Sequence, residues 1–216
     1  MATRHILSDL ARDYESQTGV RVEIRSMGGL EAAKSVRAGE ATDIVVLASK
    51  VMASLEIEGH LAKGETRDFA RSEIAVAVRK GSALPSVASE QAVKQAILDS
   101  RKLCYSTGPS GDHLKALCEK WGVPPERVLI APPGVPVATL VANGDADLGF
   151  QQLSELIGQQ GIEVVGPLPP EIQAVTVFSA GVSMASRDPE GAGAFVAYLA
   201  SAGTDDTKRR HGMKPA

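Results

Sequence analysis

The chain has 216 residues, 44% hydrophobic and 23% charged, a balance that supports one ordinary globular domain or two small ones with a real core. A net charge of −3 and an aromatic content of 4% exclude an overall basic field for nucleic acid or an anionic membrane, and a platform of exposed rings for stacking bases. The longest apolar runs, such as Ile44 to Ala48, are too short to span a bilayer, and the two Cys and four His lie at no metal-ligand spacing, so neither membrane insertion nor a metal site is expected.

Ala2 to Tyr14 reads as a helix with Thr3 as a cap and Ile6, Leu7, Leu10, Ala11 and Tyr14 at helical spacing. Past Gly19, the alternation of Val20, Val22 and Ile24 predicts a strand. In an open α/β sheet, a helix as first element is a βα unit that lacks its strand. Ser26-Met27-Gly28-Gly29 then turns into a helix from Leu30 to Ala38, stopped by Gly39. Asp43 opens Ile44 to Ala48, an unbroken apolar run of the kind that forms a parallel strand covered on both faces. Ser49 leads into a helix from Val51 to Glu58, and Gly59 with His60 ends it. Glu73 to Arg79 predicts another strand, and Lys80 to Pro85 is a linker where the chain crosses to a second domain.

After a helix from Ser89 to Asp99, Leu103 to Ser106 reads as the end of a buried strand. Thr107 to Gly111 reads as a tight polar turn, and Asp112 to Trp121 as an amphipathic helix. A strand feeding a helix through small residues leaves amide N–H groups at a positive helix end, a seat for an anion. Ser106, Thr107 and Ser110 add hydroxyls to it without any Lys or Arg. An ordinary capped strand-to-helix connection has the same appearance.

Arg127 to Ile130 is a strand, Pro132 to Pro136 a rigid turn around Gly134, and Val137 to Asn143 a helix closed by Gly144. Asp147 to Phe150 is a short strand running into Gln151 and Gln152. The passages from Ala38 to Ile44 and from Asn143 to Leu148 share one order: a helix end, a Gly, an Ala and an Asp that opens a strand. Two halves built alike would give that order, and so would chance similarity of two connections. Gly166 to Pro170 is a second linker, after which Ile172 to Val177 and Gly181 to Ala185 return the chain to the first half. Asp188-Pro189 opens a helix through Phe195, Val196 and Leu199. Asp205 to Met213 forms a last one, with Lys208, Arg209 and Arg210 on a solvated face. Cys104 and Cys118 are two buried thiols or a bridge.

Gly19-Val20, Ala38-Gly39 with Asp43, Pro109-Ser110-Gly111, the run Val141 to Gly149, and Asp188-Pro189 with Phe195 and Leu199 together resemble the periplasmic molybdate-binding proteins of ABC importers. The resemblance covers nearly the whole chain in order. It implies an α/β, two-lobed type 2 solute-binding fold in which each lobe is a doubly wound, mostly parallel sheet and the first strand is absent. Lobe 1 would comprise residues 1–80 and 172–216, and lobe 2 residues 81–171. It also implies a strand and an export signal before Met1, a periplasmic location if they exist, an ABC transporter permease as partner, and a monomer without cofactor. No signal-like stretch follows Met1, which leaves a cytoplasmic location open.

In that family a tetrahedral oxyanion is held by Ser hydroxyls, backbone amides and a Tyr. The matching stretches here read Met1-Ala2-Thr3, Met27-Gly28-Gly29 and Gln151-Gln152, so most hydroxyl donors are gone and amides replace the phenol. Because amides both donate and accept, the resemblance so altered implies a small anionic metabolite, a di- or tricarboxylate, more than molybdate. The expected ligand-binding residues are Thr3, Met27, Gly28, Gly29, Ser106, Thr107, Ser110, Gly111, Gly134, Gln151 and Gln152. A shorter stretch, Tyr105 to Gly111 together with Met27 to Leu30, is similar to the branch of the superfamily that contains aconitate isomerase. That reaction moves a proton between carbons beside carboxylates and needs a base. His113 and Glu31 are the candidates, with Arg4, Arg25 or Lys34 as carboxylate partners; each also reads as an ordinary solvated residue.

Overall fold

The computed structural model describes residues 2–216, which divide into two units: unit 1 is the chain up to Ser72 together with Thr176–Ala216, and unit 2 is Glu73–Val175. Unit 1 starts with α1 (Arg4–Thr18), α2 (Gly29–Arg37), β1 (Ile44–Ala48), α3 (Ser49–Ile57) and β2 (Leu61–Ser72). Unit 2 follows with β3 (Ile74–Arg79), α4 (Glu90–Asp99), β4 (Leu103–Tyr105), α5 (Pro109–Trp121), β5 (Val128–Ile130), α6 (Val137–Asn143), β6 (Leu148–Gln152), α7 (Leu153–Leu156) and β7 (Ile162–Pro167). The chain then completes unit 1 with β8 (Thr176–Ser183), α8 (Pro189–Ala200), α9 (Asp205–Arg210) and β9 (Lys214–Pro215).

The sheet of unit 1 has the order β1-β8-β2-β9. Alternation along β1 sends Val45 and Leu47 to a cluster with Ala33, Val36, Met52 and Leu55 of α2 and α3. Ile44 and Val46 pack on the opposite cluster, where α1 and α8 lie. In that second cluster Tyr14 meets the rings of Phe195 and Tyr198 with centroids 5.0 Å apart in each pair. The sheet of unit 2 has the order β5-β4-β6-β3-β7. One face carries α4 and α5 through Val93, Ile97, Leu114 and Leu117 over Val76, Leu103 and Phe150. The other carries α6 and α7 through Val137, Val141 and Leu156 over Ala75, Ala77 and Cys104. Each buried Val, Leu, Ile, Phe or Met among these contributes about 1.5–3 kcal/mol by leaving water.

Two α/β sheets, each with helices on both faces, meet the expected fold class; strand direction does not follow the expectation of mostly parallel sheets. Every strand pair in unit 1 is antiparallel, and in unit 2 only β4 with β5 and β4 with β6 are parallel. The returning strand β8 causes this. It lies between β1 and β2 and runs against both, so the apolar run of β1 is an edge strand and not a central parallel one.

The crossings also differ from the two linkers read in sequence. β3 pairs with β6 and β7, so the chain enters unit 2 at Glu73, before Lys80 to Pro85, and leaves it after Val175. Gly166 and Pro167 lie inside β7, on the sheet edge where a proline is tolerated. Val20 to Ile24 takes no strand conformation, although Val22 and Ile24 pack on the core. Ile172 to Val177 and Gly181 to Ala185 are replaced by the single strand β8. Lys208 is not on a solvated face. It is 1% exposed, and its Nζ donates to Asp205 Oδ1 at 3.1 Å and to the Ser201 carbonyl at 3.4 Å.

Candidate functional site

In unit 2 the chain leaves β4 for β5 on one side and returns from β5 to β6 on the other, with α5 and α6 on opposite faces of the sheet. Where strand order reverses in this way, the carboxyl ends of neighbouring parallel strands open a crevice that is the usual ligand position in α/β sheets. Ser106, Thr107 and Gly108 follow β4, Ala131 to Pro136 follow β5, and Gln151 and Gln152 end β6. Ser106, Thr107, Ser110, Gly111, Gly134, Gln151 and Gln152 therefore share one edge of one sheet.

α5 begins three residues earlier than its amphipathic pattern predicts, at Pro109. Proline suits a first helical position, because its missing N–H has no partner there in any case. The cap is Gly108, with φ +106° and ψ −170°, a conformation open to glycine alone among common residues. The first helical bond runs from Asp112 N to Gly108 O at 2.8 Å, which places the Ser110 and Gly111 amides in the turn that helix geometry leaves without internal acceptors. Both residues are buried. Gly111 lies so close to the end of β4 that a Cβ on it would stand 1.6 Å from the Ser106 carbonyl oxygen. The turn predicted from Thr107 to Gly111 thus ends at Gly108, Ser106 joins it because β4 ends at Tyr105, and Ser110 and Gly111 are in the first turn of the helix itself.

The parallel register pairs Cys104 with Gly149 and Tyr105 with Phe150. Continued one step, it sets Ser106 beside Gln151 on the face occupied by α6. A Cβ on Gly149 would stand 2.6 and 2.7 Å from Val141 and Val137, so α6 packs directly over β6 and its leading loop, with Gly134, lies toward Gln151. Gln151 and Gln152 are 4% and 3% exposed. Gln151 Oε1 is buried without a hydrogen-bond partner among the described residues. Burial pushes the Glu155 carboxyl in α7 up from its ordinary range.

The candidates in unit 1 are arranged differently. Met27, Gly28 and Gly29 lead into α2, with Gly28 as an extended cap whose side supplies no hydrogen bond, and Gly29 faces Leu47 at the end of β1. Thr3 precedes α1, but its hydroxyl does not cap the helix, contrary to expectation, because its backbone is already helical at φ −94° and ψ 0°. Glu31 is exposed on α2 and lines a hollow with Arg25, Met27, Lys34, Ser35 and Glu40. Arg25 is committed there, donating to Glu40 Oε2 at 2.6 Å and to Ser35 Oγ at 3.1 Å. His113 on α5 has Nε2 2.7 Å from the Ile172 carbonyl, so that nitrogen carries the proton and pins α5 to the end of unit 2. Cys104 and Cys118 are free thiols on opposite faces of the sheet. Among the described residues no group of three or more His, Cys, Asp or Glu is placed to hold a metal ion, and no helix is long and apolar enough to cross a membrane.

Comparison with known proteins agrees with this architecture. The chain matches the family model for bacterial extracellular solute-binding proteins over residues 1–214. It is 33% identical to an aconitate isomerase of Pseudomonas sp, with 97% of this chain and 83% of that protein covered. In fold it is similar to the periplasmic molybdate-binding protein of Azotobacter vinelandii, with a TM-score of 0.78 and 21% identity over 98% of this chain and 95% of the other. It is also similar to Campylobacter jejuni PEB3 in the structure with bound L-phospholactate, with a TM-score of 0.73 and 14% identity over 99% and 96% of the two chains.

Proposed function

The chain belongs to the bacterial extracellular solute-binding proteins, and on that premise we propose that it binds a small anionic metabolite, a di- or tricarboxylate, at the carboxyl edge of the unit 2 sheet. The observation that carries this reading is the meeting, on that edge, of the first-turn amides of α5 with buried glutamine amides and with no Lys or Arg. Helix-start amides attract negative charge, and planar amide donors suit a carboxylate. In this reading Ser106, Thr107, Ser110, Gly111, Gly134, Gln151 and Gln152 line the site in unit 2. A monomer that delivers its ligand to an ABC transporter permease outside the cytoplasm is the role the family favours.

The 33% identity to an aconitate isomerase favours a second reading, in which the same site shifts the double bond of aconitate. A base would take a proton from the carbon beside a carboxylate and the acid so formed would return one at another carbon, leaving the formula unchanged. His113 would use Nδ1 as the base, since Nε2 is engaged with Ile172. One experiment separates the readings. The protein is incubated with trans-aconitate and the mixture is chromatographed for the cis isomer, while melting is followed with citrate, both aconitates, molybdate, tungstate and sulfate. A rise in melting temperature with a tricarboxylate and no isomerisation supports binding alone. Turnover establishes the isomerase, and a response to molybdate or tungstate alone rejects both carboxylate readings.

A further inference from the structure

The sheet of unit 1 has one side of β1 open among the described residues. β1 pairs with β8 alone. The bond from Ser183 N to the Asp43 carbonyl at 2.9 Å fixes which residues bond β8: in the antiparallel alternation these are Asp43, Val45 and Leu47. The backbone groups of Ile44 and Val46 therefore point the other way, where Thr42 Oγ1 donates to the Ile44 carbonyl at 3.1 Å and no strand pairs. β1 carries no lysine, proline or bulge, the usual devices by which an edge repels another strand. Residues 20–24 alternate as a strand does, and Val22 and Ile24 pack on the same cluster as Ile44 and Val46. Yet residues 21–27 make no backbone–backbone hydrogen bond among the described residues. Two extended segments thus share one core with no ladder between them.

The handedness of crossovers decides what fits there. Residues 20–24 and β1 each run into a helix of one face, α2 and α3, so they share a direction. The right-handed rule for strand, helix and parallel strand then fixes the side of residues 20–24 on which β1 lies. A strand leading into α1 would form a second such unit that ends in residues 20–24, with its helix on the opposite face. Reversing both the order and the face places that strand on the same side as β1. Because β8 holds the far side of β1, the place left is the one between. We propose that residues 20–24 and β1 flank an open strand position. Its occupant is an extended segment of about five residues that runs parallel to β1 and leads into α1. One of its faces meets the α1 and α8 cluster and the other the α2 and α3 cluster, so it is apolar on both.

The test joins Val-Ile-Val-Ile-Val directly to Met1 of the full chain, which leaves three residues up to Thr3 as a strand-to-helix connection of ordinary length. The product is compared with the unextended chain and with a Val-Pro-Val-Pro-Val extension, whose prolines lack the N–H groups a ladder needs. Filling the position is expected to raise the melting temperature by about 5 °C or more. Residue-resolved hydrogen exchange is expected to slow about tenfold or more at the Ile44 and Val46 amides and within residues 20–24. The proline extension should change neither. Unaltered exchange at those amides with the apolar extension overturns the proposal, and so do equal effects of the two extensions. Self-association without protection in the monomer places the segment outside the sheet and overturns it as well. Protection by the free pentapeptide, where the fused one gives none, assigns the position to another chain and overturns the connection to α1.

Discussion

Glycine-to-alanine exchange should have opposite effects at two helical positions of this chain. At Gly111, in the first turn of α5, a Cβ would stand 1.6 Å from the Ser106 carbonyl oxygen and 2.8 Å from its carbon. Both atoms are backbone and cannot swing aside as a side-chain tip can. To reach a tolerable contact the helix start must back away from β4 by about 1.4 Å, a displacement whose cost falls in or above the usual overpacking range of about 1–3 kcal/mol. At Gly193, within α8, φ is not left-handed and nothing lies within 4 Å of the added methyl. There the substitution only restricts the unfolded chain and improves helix propensity, a gain of about 0.5–1 kcal/mol. For a chain of this size, 1 kcal/mol moves the melting point by about 2–4 °C. Differential scanning calorimetry should therefore place Gly111→Ala roughly 3–10 °C below the wild type and Gly193→Ala about 1–4 °C above it. Calorimetric titration with a bound tricarboxylate should show Gly111→Ala weakened by tenfold or more, since a shift of about 1 Å is enough to misalign a binding constellation. Wild-type melting of Gly111→Ala would refute the close approach of α5 to Ser106, and with it the construction of the edge.

Burial pushes the Cys104 thiol up to about 12 and the Cys118 thiol up to about 11, so neither should react with Ellman's reagent near pH 8 until the chain unfolds. Rapid reaction of the folded protein would contradict their environment. Asp43 accepts from Ser186 Oγ at 2.8 Å and from the Arg187 amide at 2.9 Å, and these bonds, with the hydroxyl first, hold its carboxyl below the usual range. Its contribution is present above the unfolded-state value and is lost as pH falls below the ordinary carboxylate range through the lowered folded value. Asp43→Asn should accordingly flatten the acid limb of a melting-temperature profile, and an unchanged slope would dismiss the contribution. Lys208→Ala should cost about 2–4 kcal/mol by denaturant titration, from lost packing and a stranded Asp205, and Lys208→Met clearly less, since it refills the space. Equal losses would show that the charge and not the volume matters.

Much of the helical framework was legible in the sequence, because caps and apolar spacing act locally. Asp188 accepts from Gly191 N and Ser89 from Ala92 N, and both were marked by residue type and position alone. Strand pairing was less legible, because it depends on partners far along the chain. β2 reads as a polar segment, Leu-Ala-Lys-Gly-Glu-Thr, and its two register irregularities against β8 erase any simple alternation. Val20 to Ile24 alternates well and still forms no ladder among the described residues. The amphipathic period of α5 begins at Leu114, whereas its first turn is set by Pro109 and by the Gly108 conformation, neither of which has a hydrophobic signature. The glutamines that end β6 stood out by position, yet their burial follows from the pairing of β6 with β3, which no local pattern announces.

The amide of Gln173 ties together the two ends of the inserted unit. Its Oε1 accepts from Ile74 N at 2.9 Å, and its Nε2 donates to the Ile74 and Leu168 carbonyls at 3.0 Å each. Residues 73–175 thus form a loop stapled at its base, complete as soon as they have left the ribosome. Unit 1 must wait for β8, the strand that joins β1 to β2. During synthesis unit 2 is therefore able to fold ahead of unit 1, and the amino-terminal segment is the one that needs shelter from aggregation while the carboxyl-terminal residues are still being made.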